Sequence, residues 1–291
     1  MTSKKPTSHT YFSQRLRLHY ADWGNVGAPP MLLVHGVQDH CHSWDWFAEV
    51  FAGRYHVLAP DLRGHGDSEW VRGSSYHHPD YVYDLDQLVR QRQLIPSVIV
   101  SHSMGGTLAS IFTGVYPECV SALVIIEGVG FWPGLGGDSE PEQRLDEWIR
   151  TTRDLASRQP RRYDSLEEAY ERMQHANVHL TPDQARHLTL HGSNRNEDGS
   201  YSWKFDNYTH AWPAFRIPPD DLAALWRRIR CPVLIINGSE GFPHRIGQDG
   251  TDVHFADARI VEVAGAGHWA HHDKLDDVVG AVEGFLAGVF G

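Results

Sequence analysis

The chain has 291 residues, 41% of them hydrophobic and 22% charged, which suits a globular protein with one large core and room for an inserted subdomain. A net charge of −11, from 26 basic against 37 acidic residues with no basic stripe, argues against nucleic acid or an anionic membrane as partner. Cys41, Cys119 and Cys231 are too few and too widely spaced for a disulfide framework. The N-terminal segment lacks the apolar stretch of a signal peptide, and no run approaches the ~18 apolar residues of a membrane span. The expectation is a cytoplasmic protein acting on a small molecule, as a monomer or a homodimer.

Short apolar runs at residues 31–34, 56–58, 97–100, 122–126, 232–236 and 260–263 end in Gly- or Asp-rich turns. Val/Ile/Leu runs of this length suit strands of a parallel sheet covered on both faces. Helical spacing falls between them at 81–93, 105–116 and 275–290, so the pattern is that of an open α/β sheet. The alternation stops between about 130 and 220. There the pattern is helical and polar, at 142–155, 165–173 and 182–190, with one short strand run at 201–205. Ser165 with Glu168 and Thr181 with Gln184 have capping-box spacing. Breakers at Pro133-Gly134 and Pro218-Pro219 mark the edges. The reading is a core of residues 1–130 and 220–291 with a helical cap at 131–219. Trp132, Trp148, Trp203 and Trp212 fall in that cap, as substrate walls or as its own packing.

The segment 98–106, VIVSHSMGG, runs from a buried strand through a tight turn into a helix. This is the small-x-Ser-x-Gly nucleophile elbow, with Ser101 where glycine is usual and Gly105 as expected. The turn lifts the Ser103 hydroxyl above the sheet, and the helix N-terminus favours negative charge developing there. In 264–270, AGAGHWA, His268 sits in a small-residue loop after the last strand run, a bendable support for a base that must reach the nucleophile. His271 and His272 beyond it are expected on a helix surface. Two acids keep the order Ser, acid, His: Glu127 at the end of the run 122–126, and Glu240 in the loop INGSEGFP. Glu127 is preferred, because a strand-end carboxylate beside the elbow needs no shift in register.

His35, Asp39, His40 and His42 cluster in sequence but match neither HxHxDH nor HExxH, so no metal is assigned. Lys204–Asp206 is read as a salt bridge or turn.

With these motifs, the sequence resembles the α/β-hydrolase superfamily over about 12–130 and 222–290. The carriers are His35-Gly36, the run Asp61-Leu62-Arg63-Gly64-His65-Gly66-Asp67-Ser68, the elbow at Ser103 and Gly265-Ala266-Gly267-His268. Arg162-Tyr163, Ala176-Asn177 and a Leu-Thr helix start add a resemblance to the serine hydrolase-like group. The resemblance implies an α/β-hydrolase fold, a mostly parallel eight-stranded sheet flanked by helices with an inserted helical cap. It implies an oxyanion hole from the backbone N–H groups of Val37 and Met104. The acid would usually stand at position 241, which is glycine here, with Glu240 one place early; some members of the superfamily place it where Glu127 stands. The implied activity is hydrolysis of an ester, thioester or lactone through an acyl-enzyme, with no cofactor or metal. Carbon–carbon hydrolysis of diketones by the same triad and a non-hydrolytic ligand-binding member are the alternatives. Haloalkane dehalogenases and epoxide hydrolases of the superfamily carry Asp at the elbow, unlike Ser103.

Overall fold

Alternation along the strands decides which side chains face which layer. The computed structural model of the chain describes residues 5–73, 76–130, 140–248 and 250–291. In chain order its elements begin with β1 (Thr7–Ser13), β2 (Leu16–Asp22), β3 (Pro30–Val34), α1 (Asp45–Phe51), β4 (His56–Pro60), α2 (His78–Gln91), β5 (Ser97–His102), α3 (Met104–Val115) and β6 (Val120–Ile126). There follow α4 (Pro141–Ala156), α5 (Leu166–Ala176), α6 (Pro182–Gly192), β7 (Ser193–Arg195), β8 (Tyr201–Trp203) and α7 (Pro219–Trp226). The chain closes with β9 (Val233–Gly238), β10 (Ala258–Val263), α8 (Ala270–Asp273) and α9 (Leu275–Phe290).

Eight strands form one sheet in the order β1-β2-β4-β3-β5-β6-β9-β10. The strands from β4 to β10 pair in parallel, and β2 is antiparallel to both β1 and β4. The six central apolar runs are all strands. β1 and β2 carry no comparable run, because the edge hairpin is covered less completely and β1 is exposed at its first four residues.

Leu32, Val34, Ile99, Leu123, Ile125 and Ile235 face α2, α3 and α7, in one apolar cluster. Their sequence neighbours Met31, Leu33, Val98, Val100, Val124 and Ile236 face α1 and α9, in another. Both faces are dry, which is why these strands read as continuous apolar runs. The chain leaves β3 toward β4 and returns to β5 on the other side of β3. The strand order therefore reverses there, and the crevice above the carboxyl ends of β3 and β5 is where such sheets bind ligands.

Between β6 and β9 the described residues hold the four helices α4 to α7 and the two-stranded β7–β8 sheet. Thr181 and Gln184 form a complete capping box, whereas Ser165 accepts from the Glu168 amide and Glu168 turns its carboxylate to the Asp164 amide. Leu180, Ala185 and Leu188 make a small core that leans on Trp46 of α1, while α4 buries none of its side chains. Trp148 and Trp203 are half-buried, Trp203 donating to the Tyr163 hydroxyl at 2.9 Å, and Trp212 is exposed. Trp132 and the Pro133-Gly134 breaker lie outside the described residues. Among the described residues no helix is long and apolar enough to cross a membrane.

Candidate active site

The elbow follows from steric limits at three positions. Ser103 has φ 54° and ψ −123°, a backbone state costly for a residue with a Cβ, and its amide is held by the Ile126 carbonyl at 3.0 Å. A Cβ on Gly105 would stand 2.5 Å from the carbonyl oxygens of Val34 and His35, so only glycine fits beneath the turn. Ser101 replaces the other glycine without penalty, because its buried hydroxyl donates to the Val124 carbonyl at 2.8 Å.

The loop after β10 brings His268 to this serine. His268 Nε2 lies 2.8 Å from Ser103 Oγ, and His268 Nδ1 lies 3.3 Å from Glu127 Oε2. The carboxylate can only accept, so Nδ1 carries the proton and the Nε2 lone pair faces the hydroxyl. The 3.3 Å contact is long for such a bond, as catalytic contacts in unliganded sites often are.

Glu127 ends β6 at φ 51°, is fully buried, and has its amide held by the Ile236 carbonyl at 2.8 Å. Its Oε1 accepts from the Gly238 amide at 2.6 Å and from the guanidinium of Arg245. Of the two candidate acids, Glu127 therefore reaches the histidine. Glu240 is exposed in the turn after β9, and its carboxylate makes no hydrogen bond to His268 among the described residues.

The His-Gly turn after β3 lies against the elbow. A Cβ on Gly36 would stand 3.0 Å from that of Ser103. His35 is fixed beneath the turn: Nε2 accepts from the Leu62 amide at 3.0 Å and Nδ1 donates to the Gly36 carbonyl at 2.6 Å. Burial, with His65 beside it, lowers His35 to about 3, so it stays neutral. Val37 follows this turn and Met104 is the first residue of α3, whose amide precedes the helix's own hydrogen-bond ladder. Gly36, which precedes Val37, thus packs on Ser103, and Met104 follows Ser103 directly in the chain.

Three residues at the site carried no signal in the sequence. Arg245 is buried, and its Nη1 bridges Glu127 and the Gly238 carbonyl. Its loop docks on the residues after β6, with the Ile246 amide on the Gly128 carbonyl at 2.9 Å. His102, in the elbow itself, donates from Nε2 to the His268 carbonyl at 2.8 Å and so holds the base loop. Burial and then the neighbouring His268 push its imidazole well below the ordinary range. Phe242 packs against the His268 ring at 4.2 Å between centroids.

One expectation is corrected. His271 and His272 are buried, not on a helix surface: α8 turns them inward, where His271 stacks on Trp44 at 4.6 Å and His272 Nε2 donates to the Ser43 carbonyl at 3.0 Å. A four-residue helix is too short for periodicity to show its inner face.

The DxRGxGxS run is a buried brace. Asp61 accepts from His19 Nδ1 at 2.7 Å and from the Cys41 and Asp67 amides at 2.7 and 2.9 Å, and Arg63 grips Asp84 through two bonds of 2.6 and 2.8 Å. Lys204 bonds Asp67 at 2.7 Å, so the expected salt bridge ties the inserted segment to this run.

A cavity of about 270 Å³ opens between the core and the inserted segment. Met173, Leu188, Trp203 and Lys204 line it from the insertion, and Val37 and Trp269 from the core. Trp269 meets the His268 ring edge-on, so it links the cavity to His268.

The alpha/beta hydrolase family matches residues 31–281. The serine hydrolase-like protein of Danio rerio is 27% identical over 277 residues, covering 91% of this chain and 83% of that protein. Epoxide hydrolase 4 of Homo sapiens is 32% identical over 112 residues, only 38% of this chain and 31% of its own length. Among solved structures, a hypothetical protein of Pseudomonas aeruginosa PAO1 superposes with a TM-score of 0.85 at 22% identity, over 97% of this chain and 99% of that one. On sequence, sheet order and family match together, this chain belongs to the alpha/beta hydrolase family and is a hydrolase similar to the serine hydrolase-like proteins.

Proposed function

We propose that the protein hydrolyses an ester-type bond (ester, thioester or lactone) of a small molecule through an acyl-enzyme on Ser103. The observation that carries this reading is the continuous line from Glu127 Oε2 through His268 to Ser103 Oγ, with 3.3 Å and 2.8 Å steps. Ser103 Oγ attacks the carbonyl carbon as His268 Nε2 takes its proton, and the carbonyl π electrons move to oxygen. The Val37 and Met104 amides stabilise that oxyanion. Collapse expels the leaving group, which takes the proton from His268. Water then repeats the sequence, releasing the acid and the free serine. Glu127 keeps His268 in the competent tautomer and offsets its positive charge. The chain supplies nucleophile, base and acid for every step.

Epoxide opening fits this nucleophile poorly. Attack by a serine oxygen on an epoxide carbon would leave an ether, which has no carbonyl for water to attack. A carboxylate nucleophile would leave an ester that water can cleave. The elbow residue is Ser103, not a carboxylate. The buried free thiols of Cys41, Cys119 and Cys231 support a reducing, cytoplasmic setting.

The test is a panel of p-nitrophenyl esters of rising acyl length, with thioesters, lactones and a diketone. Saturable ester-type turnover that disappears in Ser103→Ala supports the reading. Turnover of the diketone alone would replace it with carbon–carbon hydrolysis. A folded protein that binds members of the panel and turns over none would be a ligand-binding member of the fold.

A further inference from the structure

Where α6 crosses the start of α1, histidines from α6 and from the turn before α1 gather around one carboxylate. His187 and His191 stand four residues apart on α6, so their rings share a face. His42 lies in the 3₁₀ turn Cys41–Trp44, and Asp45 opens α1. His42 Nδ1 is 3.1 Å from both Asp45 oxygens, and His187 Nε2 is 3.1 Å from Asp45 Oδ2. The His191 ring stacks on that of His42 at 3.9 Å. One ligand atom from each of His42, Asp45 and His191 lies within 4.8 Å of the other two. The group is half-buried, so an ion can enter, yet it is sheltered enough for its attraction to the carboxylate to count.

We propose that His42, Asp45 and His191 bind a divalent transition metal ion, Zn²⁺ by their chemistry, which clamps α6 to the start of α1. Two imidazoles and one carboxylate favour zinc over magnesium or calcium, which prefer all-oxygen shells. The spacing across Asp45 is close to the edge of a tetrahedron with metal bonds of about 2 Å. Rotation of the His191 ring about its soft terminal torsion turns a stacking contact into a ligand bond. His187 orients the carboxylate from outside, as second partners of metal ligands do.

The site contains no triad member and is separate from the reaction. The other cluster with ligand spacing among the described residues, His19, Cys41 and Asp61, is fully buried, so it offers a hydrated ion no way in.

The test is calorimetric titration of chelator-stripped protein with ZnCl₂, together with Co²⁺ absorption spectra of the wild type. One Zn²⁺ per chain is expected, raising the melting temperature. Both effects should vanish in His191→Ala and in Asp45→Asn, and His187→Ala should bind roughly tenfold more weakly. Co²⁺ should give visible d–d bands with no thiolate charge-transfer band, a readout that needs no variant to fold. Absence of stoichiometric binding by folded wild type would overturn the proposal. So would undiminished binding in both ligand variants, or a cobalt–thiolate band, which would move the ion to Cys41.

Discussion

The Glu127 carboxylate occupies the space into which a side chain at Gly241 would have to grow. A Cβ on Gly241 would stand 2.2 Å from Glu127 Oε2 and 2.3 Å from Arg245 Nη1. Position 241 after β9 and the Glu127 carboxylate after β6 thus converge on one point beside His268 Nδ1. The absence of a side chain at 241 and the presence of a carboxylate at 127 are one structural fact. Glu127→Gln, which keeps the shape and removes the charge, should lower kcat about 10³-fold or more. Glu240→Gln should change it by less than about twofold, as an exposed side chain away from the line of transfer. Steady-state kinetics on one activated ester compares the two, and the reverse ranking would move the acid to the loop after β9.

The same convergence makes the acid transferable. Gly241→Asp alone should be destabilising, since its Cβ overlaps the Glu127 carboxylate and the guanidinium. In a Glu127→Gly background the carboxylate is gone and only the end of the flexible Arg245 side chain must shift, and glycine also accepts the φ of 51° at position 127. The double variant should recover at least tenfold of the kcat lost in Glu127→Gly, as judged by the loss assigned to the acid. Kinetics on the three variants reads this directly; no recovery in a folded double variant would mean that position 241 cannot present an acid to His268.

Arg245 balances the buried acid. Arg245→Met leaves Glu127 charged, buried and missing a strong partner, which should cost ~3–5 kcal/mol in urea unfolding. Arg245→Met should also lower kcat/KM, because the Glu127 carboxylate that orients His268 loses the partner that fixes it. A variant that loses stability with kcat/KM unchanged would make Arg245 a structural residue alone.

Neutral buried histidines set the acid stability. Burial is the first cause at each: His35 is lowered to about 3, and His40, His65 and His272 to about 4. In the unfolded chain each titrates near 6.5. Below that pH the unfolded state takes up protons that the folded state refuses. Their contribution is therefore complete above about 6.5 and is lost as the pH falls toward 4, at about 1.4 kcal/mol per pH unit for each histidine. Urea midpoints should drop steadily between pH 7 and pH 5, and a flat profile over that range would contradict the burial of these rings as neutral groups.

What the sequence displayed, and what it hid, follows from how each signal arises. The inner strands were legible because both faces of β3, β5, β6 and β9 are covered, so every position had to be apolar. β1 was not, since its first residues face solvent and need no pattern. Ser103 and His268 stand in turns whose tightness selects small neighbours, and those neighbours are visible as letters. Glu127 against Glu240 was open because two loops distant in sequence meet only in space. Arg245 and His102 act through contacts to residues distant in sequence, Glu127 and the His268 carbonyl, which leave no spacing to read. The four-residue step from His187 to His191 was readable, but its partner Asp45 lies on another element.

The central claim is that Ser103 is a nucleophile activated by His268 and Glu127. Intact-mass analysis after treatment with a fluorophosphonate tests it most directly. Folded wild-type protein should gain one phosphonyl group, mapped to the peptide containing Ser103, and folded Ser103→Ala should gain none. Folded wild type that stays unlabelled, or labelling that persists in Ser103→Ala, would contradict the account.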